Sequence, residues 1–191
     1  MRIAIAGTHC SGKSTLVEAF LGSHTDYTHE PEPYEALQEI HGECFADDPS
    51  ADDFLQQLLY LLERLKQYRV SERVIFERSP FDFVAYQQAL VDLRRDTGNH
   101  DLAKQSVELA RGSTALLDMI VFLPASGAHI YVPQEEDLEL REAMDMRLEA
   151  LLVNDEAGIF NGQKPAVIEA IGRTAQRLET LGLAINRLQD E

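Results

Sequence analysis

The amino-acid sequence predicts an α/β fold in which helices cover both faces of a central parallel sheet of about five strands. Short apolar runs alternate with segments whose apolar residues recur at helical spacing, and the first run passes directly into the glycine-bracketed segment Gly7-Thr8-His9-Cys10-Ser11-Gly12-Lys13-Ser14. Size agrees with this. At 191 residues, 45% of them hydrophobic, the chain suits a single domain, 1–191, around one sizeable core.

Taken in order, Ile3-Ala4-Ile5-Ala6 marks a first strand at 2–6. A helix follows at 13–21, with Leu16, Val17, Phe20 and Leu21 at helical spacing and Gly22 as its stop. A short strand near 25–29 ends at Glu30-Pro31-Glu32-Pro33, because proline cannot donate to a sheet ladder. Residues 52–70 carry apolar side chains at 54, 55, 58, 59, 61, 62 and 65, the stripe of a long, well-buried helix. Arg73-Val74-Ile75-Phe76-Glu77 is the third strand, and helices follow at 81–95 and 100–117 with Gly98-Asn99 as the break between them. Met119-Ile120-Val121-Phe122-Leu123 is a fourth, buried strand stopped by Pro124. The acidic stretch from Gln134 to Asn154 is helical in period, and Val167-Ile168-Glu169-Ala170-Ile171 forms a last strand before a helix at 173–188.

The segment Gly7 to Ser14 has the pattern G-x-x-x-x-G-K-[ST], lying between strand and helix as the pattern requires. Its glycines let the backbone curl so that successive N–H groups face an anion at the N-terminus of the next helix. Within it, Lys13 reaches the outer phosphates of a nucleotide, the Ser14 hydroxyl ligates Mg²⁺ and Thr15 helps start the helix. Thr8, His9, Cys10 and Ser11 fill the unspecified positions. The motif specifies nucleotide binding and is silent on the second substrate.

Seventeen basic against thirty-three acidic residues give a formal charge of −16, which leaves no broad electrostatic footprint for DNA or RNA. Of the two cysteines, Cys10 lies in the loop and Cys44 in a separate segment expected to be helical, so no disulfide is expected between them. The chain enters its first strand at once and has no window of about 18 continuous apolar residues, which makes a soluble, cytoplasmic protein without a membrane partner the expectation.

A second constellation, Glu77-Arg78-Ser79-Pro80-Phe81-Asp82, follows the third strand. Ligands of parallel sheets bind at the carboxyl ends of the strands, so Glu77 and Arg78 are expected at the same edge as the loop. A carboxylate there can hold Mg²⁺ or take a proton, and a guanidinium can neutralise charge on a transferred phosphoryl group. The same residues also read as an ion pair opening a helix, with Ser79 as N-cap and Pro80 in its first turn, and the two readings are compatible. His29 reads as a polar residue at a strand end, and no His/Cys cluster has zinc spacing. Gln56 and Gln57 stand out on an otherwise apolar helix, where a buried amide needs a partner such as a nucleobase edge or a backbone carbonyl.

The loop, the Glu-Pro after the second strand and the Glu-Arg-Ser after the third resemble the nucleoside and nucleotide kinase group of phosphate-loop proteins, of which deoxynucleoside and thymidylate kinases are members. The Thr8-His9-Cys10 loop also resembles small AAA-type ATP-binding proteins related to ribosylnicotinamide kinase. The resemblance implies a three-layer P-loop NTPase fold with a helical lid, and ATP and Mg²⁺ as cofactors. In deoxynucleoside kinases the Glu-Pro carboxylate lies beside the phosphate-accepting hydroxyl, and an aromatic-x-Gln pattern contacts the base. Glu32-Pro33-Tyr34-Glu35 and Phe54-Leu55-Gln56 resemble these pieces, with Glu30-Pro31 fitting the first about as well as Glu32-Pro33. The lid corresponds to 125–155, where Arg141 is the candidate to close over the phosphates and Arg147 reads as a solvated helix charge. Gly172 to Arg177 resembles the segment over which the adenine ring lies, which makes Arg177 a candidate nucleotide contact.

These readings converge on ATP-dependent phosphoryl transfer to a hydroxyl or phosphate of a small molecule, with a nucleoside or nucleotide as the expected acceptor. Lys13, Glu32, Glu77, Arg78 and Arg141 are the candidate catalytic residues; Glu30, Glu32, Gln56 and Arg78 face the acceptor, and Ser14 and Glu77 the metal. The alternative is an NTPase or nucleotide-dependent switch acting through a protein partner. A switch calls for a strand ending in an Asp that fixes Mg²⁺ and a glutamine or glutamate poised on water, whereas the fourth strand ends Phe122-Leu123-Pro124. The apolar helix faces at 54–65 and 81–95 are expected in the core, with pairing of two subunits as their other possible use.

Overall fold

The computed structural model describes residues 1–41, 49–95, 100–125, 132–134, 136–160 and 165–190; Cys44 and the Gly98-Asn99 break lie outside them. Five strands and seven α-helices alternate along these residues: β1 (Arg2–Ala6), α1 (Lys13–Leu21), β2 (Thr28–Glu30), α2 (Pro33–His41), α3 (Ala51–Gln67), β3 (Val74–Phe76), α4 (Pro80–Asp92), α5 (His100–Ser113), β4 (Met119–Phe122), α6 (Leu138–Leu152), β5 (Ala166–Glu169) and α7 (Thr174–Asp190). A single 3-10 turn, Thr114–Leu116, links α5 to β4.

The strands form one sheet in the order β2-β3-β1-β4-β5, every neighbouring pair parallel. Strand alternation divides the core in two. Ile3, Ile5, Ile75, Met119 and Val121 face α1 and α7, where Leu16, Val17, Phe20, Leu181 and Ile185 meet them. Ala4, Ala6, Val74, Phe76, Ile120 and Phe122 face α3, α4, α5 and α6. The result is the α/β three-layer sandwich that the alternation of periods predicts.

Two departures from the sequence reading have local causes. The second strand starts at Thr28, because the N–H groups of Ser23 and His24 turn back onto the Phe20 carbonyl and that of Tyr27 onto His24 before pairing with β3 begins. Pro33, read as a strand stop, is also the first residue of a helix, α2, since proline at the first helical position forgoes no intrahelical hydrogen bond. In α4 the Ser79 N-cap and the leading Pro80 are as expected, and Asp82 completes a capping box with Ser79.

Adjacent strand order brings the ends of β2, β3 and β1 side by side. Register pairs Glu30 with Phe76 and Ala4 with Phe76, so the chain leaves each strand at one edge, where Glu32, Glu77 and the loop after Ala6 emerge. α3 supports that edge from one face. Its Leu58 is fully buried and its neighbour Leu59 is 45% exposed, so Leu58→Ala is expected to cost about 2–5 kcal/mol and Leu59→Ala under ~1 kcal/mol, measured as the difference in urea denaturation midpoints at constant slope.

Candidate active site

The loop after β1 is built by backbone constraint. Gly7 has φ +155°, and a Cβ there would lie 2.6 Å from Ser11 Oγ and 2.9 Å from the Leu123 carbonyl, so only glycine fits. Gly12, the N-cap of α1, is left-handed at φ 86°, and α1 has neither a side-chain cap nor an acidic residue in its first turn. Its N-terminal N–H groups therefore remain open to an anion.

Cations surround this loop and bind its carbonyl groups. Arg78 Nη1 donates to Gly7 O at 2.9 Å, Lys13 Nζ to Thr8 O at 3.0 Å, Arg141 Nε to His9 O at 3.0 Å and Arg177 Nη1 to Ser11 O at 2.6 Å. In a trans peptide the N–H points opposite the C=O. Drawing the carbonyls of Gly7, His9 and Ser11 toward arginines thus turns the N–H groups of Thr8, Cys10 and Gly12 the other way.

Gly7, the first loop residue, is held on both sides. Gly7 N–H donates to Asp82 Oδ1 at 2.9 Å, while Asp82 Oδ2 accepts from the Ser79 N–H and hydroxyl, and Arg78 lies 3.4 Å from the same carboxylate. Asp82 is fully buried. His9 is steadied by Tyr86, whose hydroxyl accepts from the His9 N–H at 3.2 Å and lies 2.8 Å from Nδ1. Burial and the nearby Arg78 and Lys13 lower the imidazole pKa to about 3, so the ring is neutral, with Nδ1 between the Tyr86 hydroxyl and Glu136 Oε1, the latter at 3.6 Å. Tyr86 in turn stacks on Phe54 and lies under the Arg78 guanidinium.

Beside the loop, Glu32 joins the two buried cations: its carboxylate is 3.1 Å from Arg78 Nε and 3.5 Å from Lys13 Nζ. Burial pushes the Glu32 carboxyl up, but Arg78 and Lys13 outweigh burial and bring it down to about 2. Burial, with Arg78 close by, lowers Lys13 to about 8 although Glu32 pulls the other way. Glu30 is engaged elsewhere, by a bidentate ion pair with Arg64 at 2.6 and 2.8 Å and by the Tyr68 hydroxyl at 2.6 Å. The geometry thus brings Glu32, and not Glu30, to Lys13 and Arg78.

Ser14 Oγ donates to Glu77 Oε1, and Glu77 Oε2 lies 3.2 Å from His29 Nε2. A hydroxyl and a carboxylate meeting at the mouth of the loop are the hard oxygen donors that suit Mg²⁺. Thr15 and Cys10 are at least partly open to solvent, Cys10 with a left-handed φ of 51°. Gln56 points to solvent, and it is Gln57 that is buried. Within 125–155 the helix runs Leu138–Leu152 and buries Leu140, Ala143, Met144, Leu148, Leu151 and Leu152; Arg141 reaches the loop, and Arg147 is paired with Asp92 rather than solvated alone. The sequence assigned no part in the site to Asp82, Tyr86 or Arg64, and read His29 only as a polar residue at a strand end. Only Asp82 carried a signal, its Ser-x-x-Asp spacing from Ser79.

The fold and the loop at residues 7–14 define a phosphate-loop protein with the architecture of the P-loop kinases. Residues 2–160 match the family described as AAA domain, and the chain belongs to that family. A search of curated protein sequences finds no match. Among solved structures, the deoxyadenosine kinase from M. mycoides with bound dATP is similar at a TM-score of 0.66 and 19% identity, over 97% of this chain and 99% of that one. The same kinase with the products dCMP and dCDP matches at 0.66 and 19%, over 98% and 100%. The NadR protein in complex with NAD and AMP-PNP matches at 0.68 and 16%, over 100% of this chain and 49% of that one. These likenesses show the fold, and no helix among the described residues is long and apolar enough to cross a membrane.

Glu32 predicts an acid limb of stability. Its carboxyl sits at about 2 in the fold against an ordinary 4.5, so its contribution is complete above pH 4.5 and is lost as pH falls toward 2. Glu32→Gln is expected to reduce the dependence of the melting temperature on pH across that window relative to the parent protein.

Proposed function

We propose that this protein is an ATP-dependent small-molecule kinase, transferring a phosphoryl group to a hydroxyl or phosphate of an acceptor, with a nucleoside or nucleotide as the expected class. The observation that carries this reading is the meeting of Lys13, Arg78 and Glu32 at the mouth of the loop, beside the Ser14–Glu77 pair. An NTPase needs donors for the phosphates and metal. A carboxylate held between the two buried cations adds a group able to orient an acceptor.

In this reading the triphosphate lies along the N–H groups of the loop, and Lys13 leaves Thr8 O and Glu32 to meet the outer phosphates. Losing Lys13 as a neighbour makes Glu32 more basic than it is in the free protein, where its pKa of about 2 suits it to orient a hydroxyl better than to deprotonate one. The acceptor oxygen takes the terminal phosphoryl group, ADP leaves, and the acceptor proton passes to Glu32. Arg78 neutralises charge developing on the transferred group. Ser14 and Glu77 would hold Mg²⁺, which when bound offsets the charge of the phosphate oxygens. Arg141, already on the loop, is the proposed lid contact.

The likeness to deoxyadenosine kinase and to NadR supports nucleosides, their monophosphates and ribosylnicotinamide as the first acceptors to try. ADP release from Mg-ATP is expected only when a suitable acceptor is present; equal release without one would assign the protein to the NTPases. Lys13→Ala is expected to abolish that turnover. Glu77→Gln should lower the rate roughly 10²-fold while ATP affinity, read by calorimetry, changes little. Full turnover by Glu77→Gln would remove Glu77 from the site.

A further inference from the structure

We infer that Arg177 acts on a bound nucleotide through the phosphate loop, as an uncompensated positive charge behind Ser11, and not as a platform for the adenine ring. This rests on the reading of the loop as a triphosphate site.

Arg177 lies in the first turn of α7 and is only 4% exposed. Its Nη1 donates to Ser11 O at 2.6 Å, and its Nε, also buried, has no hydrogen-bond partner. Stacking on an adenine needs an open guanidinium face. A side chain with so little free surface offers none.

The other buried arginines have counter-ions: Arg78 meets Glu32 and Asp82, and Arg2 meets Asp118. Arg177 has no carboxylate partner among the described residues, although the chain carries thirty-three acidic residues. Burial lowers its pKa with no acidic group opposing it. Burying a guanidinium without an opposite charge is costly, and removing its partner strongly destabilises a fold. The negative charge that no described residue supplies is the one that phosphates bring to the other side of the loop.

The bond to Ser11 gives this charge a route to the anion. Ser11 C=O and Gly12 N–H belong to one peptide unit, so a cation drawing on the carbonyl oxygen polarises that unit and makes the Gly12 N–H a stronger donor on its opposite side. Arg177 is therefore a positioning residue: it strengthens a loop donor without touching the nucleotide. Its effect should follow phosphate charge and be indifferent to the base.

The decisive ligand is inorganic tripolyphosphate, which has the three linked phosphates of ATP and no adenine. Calorimetric titrations with Mg-ATP and Mg-tripolyphosphate would compare the parent protein, Arg177→Gln and Arg177→Lys, with melting curves confirming that each is folded. Arg177→Gln is expected to weaken both ligands by the same factor, about tenfold, because a charge-assisted contact is lost. Arg177→Lys, which keeps the charge, should stay within about threefold of the parent for both. Weaker ATP with unchanged tripolyphosphate, in either variant, would put adenine on Arg177 and overturn the inference, as would unchanged affinity for both in Arg177→Gln. If Arg177→Gln does not fold, Arg177→Lys decides: a tenfold loss for both ligands despite the retained charge overturns the inference, and retention of both supports it. Failure of the parent protein to bind tripolyphosphate at all would instead refute the triphosphate reading of the loop, and the inference with it.

Discussion

The site depends on one buried guanidinium. Arg78 is almost wholly enclosed, and it meets three separate parts of the chain: the Gly7 carbonyl at the start of the loop, Glu32 beyond β2, and Asp82 in the first turn of α4. A buried charge of this kind is tolerable only if every partner is in place. Each partner is thereby fixed relative to the others. Asp82 carries the constraint further, since its second oxygen caps α4 while its first takes the Gly7 N–H, so the capping of a helix and the shape of the loop are one structural decision.

Preorganisation follows from this. The loop does not wait for a ligand to set its carbonyls, because Arg78, Arg141 and Arg177 hold those of Gly7, His9 and Ser11 from three different elements. Lys13 is the exception, and a useful one: its ammonium rests on Thr8 O and Glu32, partners it can leave when a stronger anion arrives. Donors already oriented in a site where charge is poorly solvated lose little on binding, and interactions there are stronger than in water.

How much of this was legible in the sequence depends on how far apart the partners lie. β1, α1 and the loop were readable because period, glycine spacing and the Lys-Ser pair are local signals. Ser79 and Pro80 opening α4 were readable for the same reason. The choice between Glu30 and Glu32 was not, because it turns on Arg64 and Tyr68, which are 34 and 38 residues from Glu30 and capture it. Tyr86 meets His9 from 77 residues away, and no composition rule reports such a contact. Gln56 and Gln57 differ by a single helical step, so a small error in the phase of α3 exchanges the buried amide for the solvated one.

The charge distribution connects these local facts to the whole chain. A net charge of −16 repels polyphosphates at long range, so the cations that attract one must act at short range and be protected from cancellation. Screening confines exposed charges to about 8 Å at physiological ionic strength, which weakens the reach of the acidic surface more than that of groups inside the fold. Lys13, Arg78 and Arg177 are such interior groups. Two of them are shared with Glu32, and their pull on an incoming anion is reduced until that carboxylate finds other work. Arg177 has no such competitor among the described residues and directs its charge at the loop. An acidic protein can thus carry a locally positive loop whose buried cations are set apart from the acidic surface.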